Sequence, residues 1–128
     1  MKRTLLALGV LALISGVTAN AHHSFAAAYF ESESTTLEGE VQEFHLKSPH
    51  ALLLFSAKTP EGTIDTYTAE WANPRRLTSA GITQDTLKPG DRVVVTGSPG
   101  RNRSERKLHL KGIRRPADGW AYGTAARR

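Results

Sequence analysis

The residues best suited to chemistry are two adjacent histidines, His22 and His23, which directly follow Ala19-Asn20-Ala21. Small residues at this spacing are what a signal peptidase requires, so cleavage after Ala21 would give His22 a new α-amino group. A free amine and neutral imidazoles are good ligands for copper, nickel and zinc. Cleavage after Ala19 would instead make His22 the third residue, a spacing that also chelates copper or nickel. Both cleavage positions therefore predict a metal-binding amino terminus.

Two further candidate ligands are His50, at a predicted strand start, and Glu70, near the end of the next strand. In a hairpin that turns near residues 60–62, the Glu70 carboxylate would lie about 5 to 8 Å from His50 across the strands. If the amino terminus folds back onto this end, three or four nitrogen and oxygen ligands would meet, a set suited to Cu(II) or Zn(II). The sequence thus predicts a metal site of His22, His23, His50 and Glu70, with Glu70 as ligand or orienting group. Copper is the first choice and zinc or nickel the alternatives; a purely structural His50 is the other interpretation.

Residues 1–21 have the form of a signal peptide. Lys2 and Arg3 are followed by an apolar run, Leu5 to Val17, which is too short to span a bilayer comfortably. We therefore expect export to the periplasm, with no membrane span after processing. Removing the leader leaves 107 of the 128 residues, enough for one core but not two. The chain has no cysteine, which excludes disulfides and thiol catalysis.

The charges are unevenly distributed along the chain. Residues 22–70 carry eight acidic and two basic side chains, whereas residues 71–128 carry thirteen basic and four acidic ones. A solvated face is the simpler interpretation of the basic segment 101–115, and an anionic or protein partner is the alternative. Export argues against nucleic acid as that partner. The candidate contact residues are Arg101, Arg103, Arg106, Lys107, Lys111, Arg114 and Arg115.

The order of the predicted elements is that of a small β-barrel. Asn73 suits a helix N-cap and Pro74 the first helical position, and Gly81 ends that helix. Three strands, this helix and two strands is the order of a mainly β, five-stranded Greek-key barrel of the OB type; a small open β-sandwich is the alternative. Alternating hydrophobicity places the strands at 35–47, 50–57, 64–71, 92–97 and 106–114. The predicted organisation is a signal peptide (1–21), an N-terminal segment (22–34), the barrel domain (35–115) and a loose tail (116–128).

Two other histidines, His45 and His109, are interpreted as structural residues. His45 falls on the apolar parity of the first strand, so it is expected to be half-buried. His109 lies between Lys107 and Lys111 on the outward parity of the last strand and is expected to face solvent.

Catalytic sequence patterns are absent. The chain has no Gly-x-Ser-x-Gly elbow, no His-Glu-x-x-His pair and no phosphate-binding loop. We therefore expect a binding protein and not an enzyme. A copper-dependent oxidative enzyme that uses an N-terminal histidine brace ranks below both binding hypotheses, because no substrate surface is evident.

Several segments together resemble one family of small exported proteins of Gram-negative bacteria whose function is unassigned. The resemblance rests on His22-His23-Ser24-Phe25-Ala26, on Ser48-Pro49-His50-Ala51, on Glu70, and on Leu87-Lys88-Pro89-Gly90-Asp91 before Val93, Val95, Thr96 and Gly97. Members usually have asparagine where this chain has Ser48, and often an aromatic residue where it has Leu52. The resemblance implies an exported OB-like β domain and supplies no activity.

Overall fold

Five strands close into a barrel, and a sixth strand pairs with the last of them. The computed structural model describes residues 23–127, so the predicted signal peptide, both cleavage positions and His22 lie outside the described residues. The helices are α1 (His23–Ala28) and α2 (Pro74–Ser79), with two 3-10 turns at Arg103–Glu105 and Thr124–Ala126. Between residues 23 and 127, no helix has the length and apolarity needed to cross a membrane. The strands are β1 (Thr35–His45), β2 (Leu52–Lys58), β3 (Ile64–Glu70), β4 (Arg92–Pro99), β5 (Lys107–Arg115) and β6 (Trp120–Gly123).

The barrel closes where β3 meets β5. The sheet order is β3-β2-β1-β4-β5-β6, and a parallel pairing of residues 68–70 with residues 107–109 joins β3 to β5. The other strand pairs are antiparallel. The prediction of a mainly β, five-stranded barrel with one short helix between the third and fourth strands is confirmed.

The core fills the inside of the barrel, and buried residues alternate with less buried ones along β2 and the first part of β5. Leu53 and Phe55 of β2 and Val93 and Val95 of β4 are at most 2% exposed. Burying each such side chain contributes about 1.5 to 3 kcal/mol, so this inner layer fixes which face of every strand points outward. The outward residues of β2, β3 and β5 therefore form the surface on which other segments can pack.

A β-bulge in β1 changes the environment of His45. The register with β2 shifts between Val41 and Glu43, so that Phe44 becomes buried and His45 points outward. The His45 side chain is 47% exposed, and its Nε2 lies 2.7 Å from Glu43 Oε2. The expectation of a half-buried His45 is wrong, because an extra residue in one strand reverses the parity beyond it.

The helix α2 forms as its sequence predicts. Asn73 caps it by accepting a hydrogen bond from the Arg76 amide at 2.9 Å, and Pro74 occupies the first turn. Leu77 is fully buried against the core. Gly81 follows at φ +83°, a conformation that favours glycine and ends the helix.

The end of the chain is more ordered than predicted. Residues 120–123 form β6, which pairs antiparallel with residues 112–115 of β5. Trp120 and Tyr122 pack against the core, and Arg115 holds the intervening turn through Asp118 at 2.9 Å. The prediction of a loose tail over 116–128 is therefore wrong for residues 116–127. Its glycine and alanine content suggested mobility, but the two aromatic side chains supply enough apolar surface to attach it.

Candidate functional site

A cluster of polar and aromatic side chains lies on the outer face of the barrel, where β3 and β5 meet. Glu70 and His109 are directly paired across this junction. Their strand neighbours Ala69 and Leu108 are buried in the core, so Glu70 and His109 point to the opposite face. Residues 25–31, from α1 and the turn after it, cover this face.

The Phe25 side chain attaches α1 to the barrel. Its ring stacks on the His109 imidazole, with centroids 3.6 Å apart and planes 4° apart. The same ring lies 4.6 Å from the His50 ring. One aromatic side chain of α1 thus contacts imidazoles from two distant parts of the sequence, and this fixes the start of the helix beside His50.

Tyr29 makes the second attachment. It is 1% exposed, and its hydroxyl donates a hydrogen bond to Glu70 Oε1 at 2.8 Å. Burial, together with the adjacent Glu70 carboxylate, raises the pKa of Tyr29 far above its ordinary value, so the hydroxyl remains a donor. The other Glu70 oxygen, Oε2, lies 3.6 Å from His50 Nδ1. Tyr29 therefore orients a carboxylate whose second oxygen is directed to His50.

His109 belongs to a second, adjoining pair. Its Nδ1 lies 2.7 Å from Glu31 Oε1, and Lys111 Nζ lies 2.5 Å from the other Glu31 oxygen. Because an ionised carboxylate only accepts hydrogen bonds, Nδ1 of His109 carries the proton and Nε2 holds the lone pair in the neutral ring. Burial lowers the pKa of His109, against the opposing effect of Glu31. This neutral form is therefore favoured near pH 7.

The solvent-facing position predicted for His109 is wrong. Its side chain is only 15% exposed, because residues 25–31 lie over it. The parity argument placed His109 correctly on the outer face of β5. What it missed is that another segment of the chain covers that face.

Acidification should weaken the attachment of this segment through Glu31. Burial alone would raise its pKa, but hydrogen bonds from Lys111 and His109 outweigh that effect and lower it below 4.5. A lowered folded-state pKa gives stability that is present above the unfolded value and lost as pH falls through the folded one. The lowered His109 pKa acts in the same direction, because the unfolded chain takes up that proton first as pH drops below 6.5. Glu31→Gln should therefore reduce the loss of stability as the pH falls below about 4.5, whereas the loss that His109 causes below pH 6.5 should persist, because Glu31 acts against the lowering of the His109 pKa.

Urea unfolding at a series of pH values measures this effect. Glu38→Gln is the matched control, since Glu38 is exposed on β1, where it pairs with Val94 of β4 and not with a member of this cluster. Parallel stability curves for the Glu31→Gln and Glu38→Gln proteins would contradict a stabilising role of Glu31.

The structure brings two of the four predicted ligand residues together. His50 and Glu70 lie together as the hairpin register predicts, with Leu52 paired to Glu70 and the Ala51 amide bonded to the Ala72 carbonyl. His22 lies outside the described residues, and His23 is the first residue of α1. Within residues 23–127, no group of three His, Asp or Glu side chains is arranged to hold a metal ion. His50 and Glu70 thus offer at most two ligands, and any others would come from the chain start.

Sequence reasoning missed four members of the cluster, namely Phe25, Tyr29, Glu31 and His109. Phe25 and Tyr29 could be recognised from the local sequence, because aromatic residues four positions apart share one side of a helix. The residues that this side of the helix contacts depend on how the barrel closes, and the closure joins residues about forty apart in the sequence.

The basic segment 101–115 is largely neutralised within the chain. Arg101 donates from Nε to the Ala26 carbonyl and lies over the Phe30 ring, whereas Arg114 is exposed on β5. Surface pairs of this kind contribute little to stability, but they reduce the field that a partner would meet. The carboxylate partners are Glu33 for Arg103, Glu61 and Asp65 for Arg106, Glu105 for Lys107, Glu31 for Lys111, and Asp91 and Asp118 for Arg115.

Comparison with known proteins places the chain in a family. Among proteins with curated descriptions, none matches this sequence. A family model does match, over residues 10–109, which include β1 to β4 and the start of β5. The chain therefore belongs to the family of unknown function DUF6152.

Proposed function

We propose that this protein is an exported, periplasmic metal-binding protein and that copper is its metal. The α-amino group and imidazole of His22 would bind the ion together with His23, and His50 would add a ligand from the barrel. Glu70 would act as a ligand or orient His50. The observation that supports this proposal best is the contact of Phe25 with His50, because it holds the start of α1 beside the barrel histidine.

The distances are compatible with convergence. His22 precedes Phe25 by three residues, and three residues span at most about 11 Å of chain. The Phe25 ring is 4.6 Å from the His50 ring. The length of chain between His22 and Phe25 therefore permits a mature start at His22 to approach His50.

The polar surroundings also suit a ligand pair. Tyr29 occupies one oxygen of Glu70 and leaves Oε2 directed to His50 Nδ1. A carboxylate held in this way fixes the orientation of an imidazole, as in carboxylate–histidine–metal arrangements. His50 would then bind the ion through Nε2. The same donor set would accept zinc or nickel, with copper favoured by the general affinity order of divalent metals.

Copper titration tests the contribution of His50. Cu(II) should bind the processed protein at one equivalent in competition with a chelator, and His50→Ala should lower the affinity by about 10- to 100-fold. His45→Ala is the matched control, because His45 is an exposed histidine paired with Glu43 on β1. Binding should also weaken at about pH 5, since protonated imidazole and ammonium groups have no lone pair to donate. Equal affinities of the His50→Ala and His45→Ala proteins would make His50 a structural residue.

The two other hypotheses have weaker support. The surface for an anionic or protein partner would use a segment in which five of seven basic residues are already paired with carboxylates. A copper-dependent oxidative enzyme would use the same N-terminal ligands, and it differs from a binding protein in one measurable property. Oxygen consumption by the copper-loaded protein with a reductant, above that of free copper, would favour the enzyme.

A further inference from the structure

A cavity at one end of the barrel is separate from the proposed metal site. It has a volume of about 430 Å³ and opens between the β2–β3 turn and the loop that joins β4 to β5. Small-molecule sites commonly occupy about 300 to 1,000 Å³. The cavity is thus large enough for a ligand of one or two rings.

Part of the cavity wall is apolar or aromatic. Leu37, Tyr67 and Leu108 line it, and the last two are 6% and 2% exposed. The Tyr67 hydroxyl makes no hydrogen bond with any residue in the part of the chain that the structure describes. The hydroxyl is accessible from the cavity, so a polar group of a ligand can pair with it.

The rim of the cavity is mainly cationic. The carboxylates that pair with three of its basic residues, Glu33, Asp65 and Glu105, do not line the cavity. Arg106 also donates from Nη2 to Oε2 of Glu61, a lining residue, at 3.2 Å, and a guanidinium has five N–H donors, so this pair does not use them all. Ion pairs at such exposed positions are weak, and they leave guanidinium and ammonium N–H groups able to bind a ligand anion. The charged lining residues are Lys58, Arg103, Arg106 and Lys107, against the single carboxylate of Glu61.

Arg106 has an unusual backbone at this rim. Its φ of +50° and ψ of +51° lie in the left-handed region, which a residue with a side chain rarely adopts. The Thr68 amide donates to the Arg106 carbonyl at 3.0 Å and holds this conformation. Strained residues of this kind are concentrated at functional sites, where the strain positions a side chain. Here it directs an arginine to the lining of the cavity.

We propose that the barrel-end cavity binds a small molecule with a ring-sized apolar body and one carboxylate. The body would pack between Leu37, Tyr67 and Leu108, and the carboxylate would accept hydrogen bonds from the Arg106 guanidinium. This site is independent of the metal, so either proposal stands if the other fails.

The test uses 2-naphthoate and its neutral counterpart 2-naphthamide with the processed protein. Naphthoate should shift the amide resonances of residues 37, 67 and 108, and calorimetry should show binding at least about tenfold tighter than that of naphthamide. Equal affinities, no binding of naphthoate, or shifts confined to another surface would each overturn the proposal.

Variants locate the carboxylate contact. Arg106→Gly removes the guanidinium and places glycine where φ is positive, so the backbone should be retained. This substitution should lower the affinity for 2-naphthoate about tenfold and leave the affinity for 2-naphthamide unchanged. The control is Arg92→Gln, since Arg92 is an exposed arginine on β4, and it should change neither affinity. Should Arg106→Gly unfold, Leu37→Trp offers a second test, because it fills the cavity and should abolish binding of both probes. Unchanged naphthoate affinity in a folded Arg106→Gly or Leu37→Trp protein would place the site elsewhere.

Discussion

An uncleaved N-terminal extension should lower the affinity for Cu(II) by at least about 100-fold, the largest effect that we expect on metal binding. The extension must contain no histidine, so that its own amine cannot form a new chelate. It would separate the α-amino group from His22 while leaving both imidazoles, His50 and Glu70 in place. An amine and an imidazole of the same residue form a chelate ring, which binds the ion more tightly than separate imidazoles do.

The matched control carries the same extension at the C-terminus. Intact-mass measurement of the exported protein comes first, because it shows whether the chain starts at His22, at Asn20 or with the leader retained. Competition calorimetry then ranks the three proteins. If both extended forms bind copper as tightly as the processed protein, the amino terminus is not the metal site.

Val95→Asp should prevent folding of the domain. Val95 is 0% exposed, and it pairs with Leu37 on β1 and Ile113 on β5 in the centre of the barrel wall. An unpaired carboxylate at this position costs several kcal/mol, against a total stability of about 5 to 15 kcal/mol for a domain. Far-UV circular dichroism and urea unfolding measure the result.

Ile64→Asp is the appropriate control for this substitution. Ile64 is also a β-branched residue in a strand, but it is 70% exposed at the start of β3. Its replacement should change stability by no more than about 0.5 kcal/mol. Cooperative unfolding of Val95→Asp at the same urea concentration as Ile64→Asp would show that the core is not organised around β4.

The barrel was predictable from local patterns because its core obeys them. Hydrophobic patterning placed the fourth strand at 92–97, and Asn73-Pro74 identified α2. The approach of Glu70 to His50 was also predictable, since a hairpin register follows from where the chain turns.

The rest of the candidate site depends on contacts that no local pattern encodes. The bulge after Val41 reversed the parity of His45, and nothing in the side chains there indicates an extra residue. The covering of His109 requires both the register of barrel closure and the attachment of a helix from the other end of the chain. Burial of Phe25 and Tyr29 decides where that helix lies, and it depends on the three-dimensional surface available to them.

The parallel junction of β3 and β5 has a consequence for the order in which the molecule assembles. Segments near residues 50, 70 and 109 together make the surface on which α1 lies, and the last of these is synthesised more than eighty residues after Phe25. Contacts between such distant segments form late, because chain entropy must be lost before they are made. The segment that contains Phe25 is therefore among the last to acquire its neighbours. If the chain is exported and cleaved as proposed, the peptidase would act before this segment has docked on the barrel.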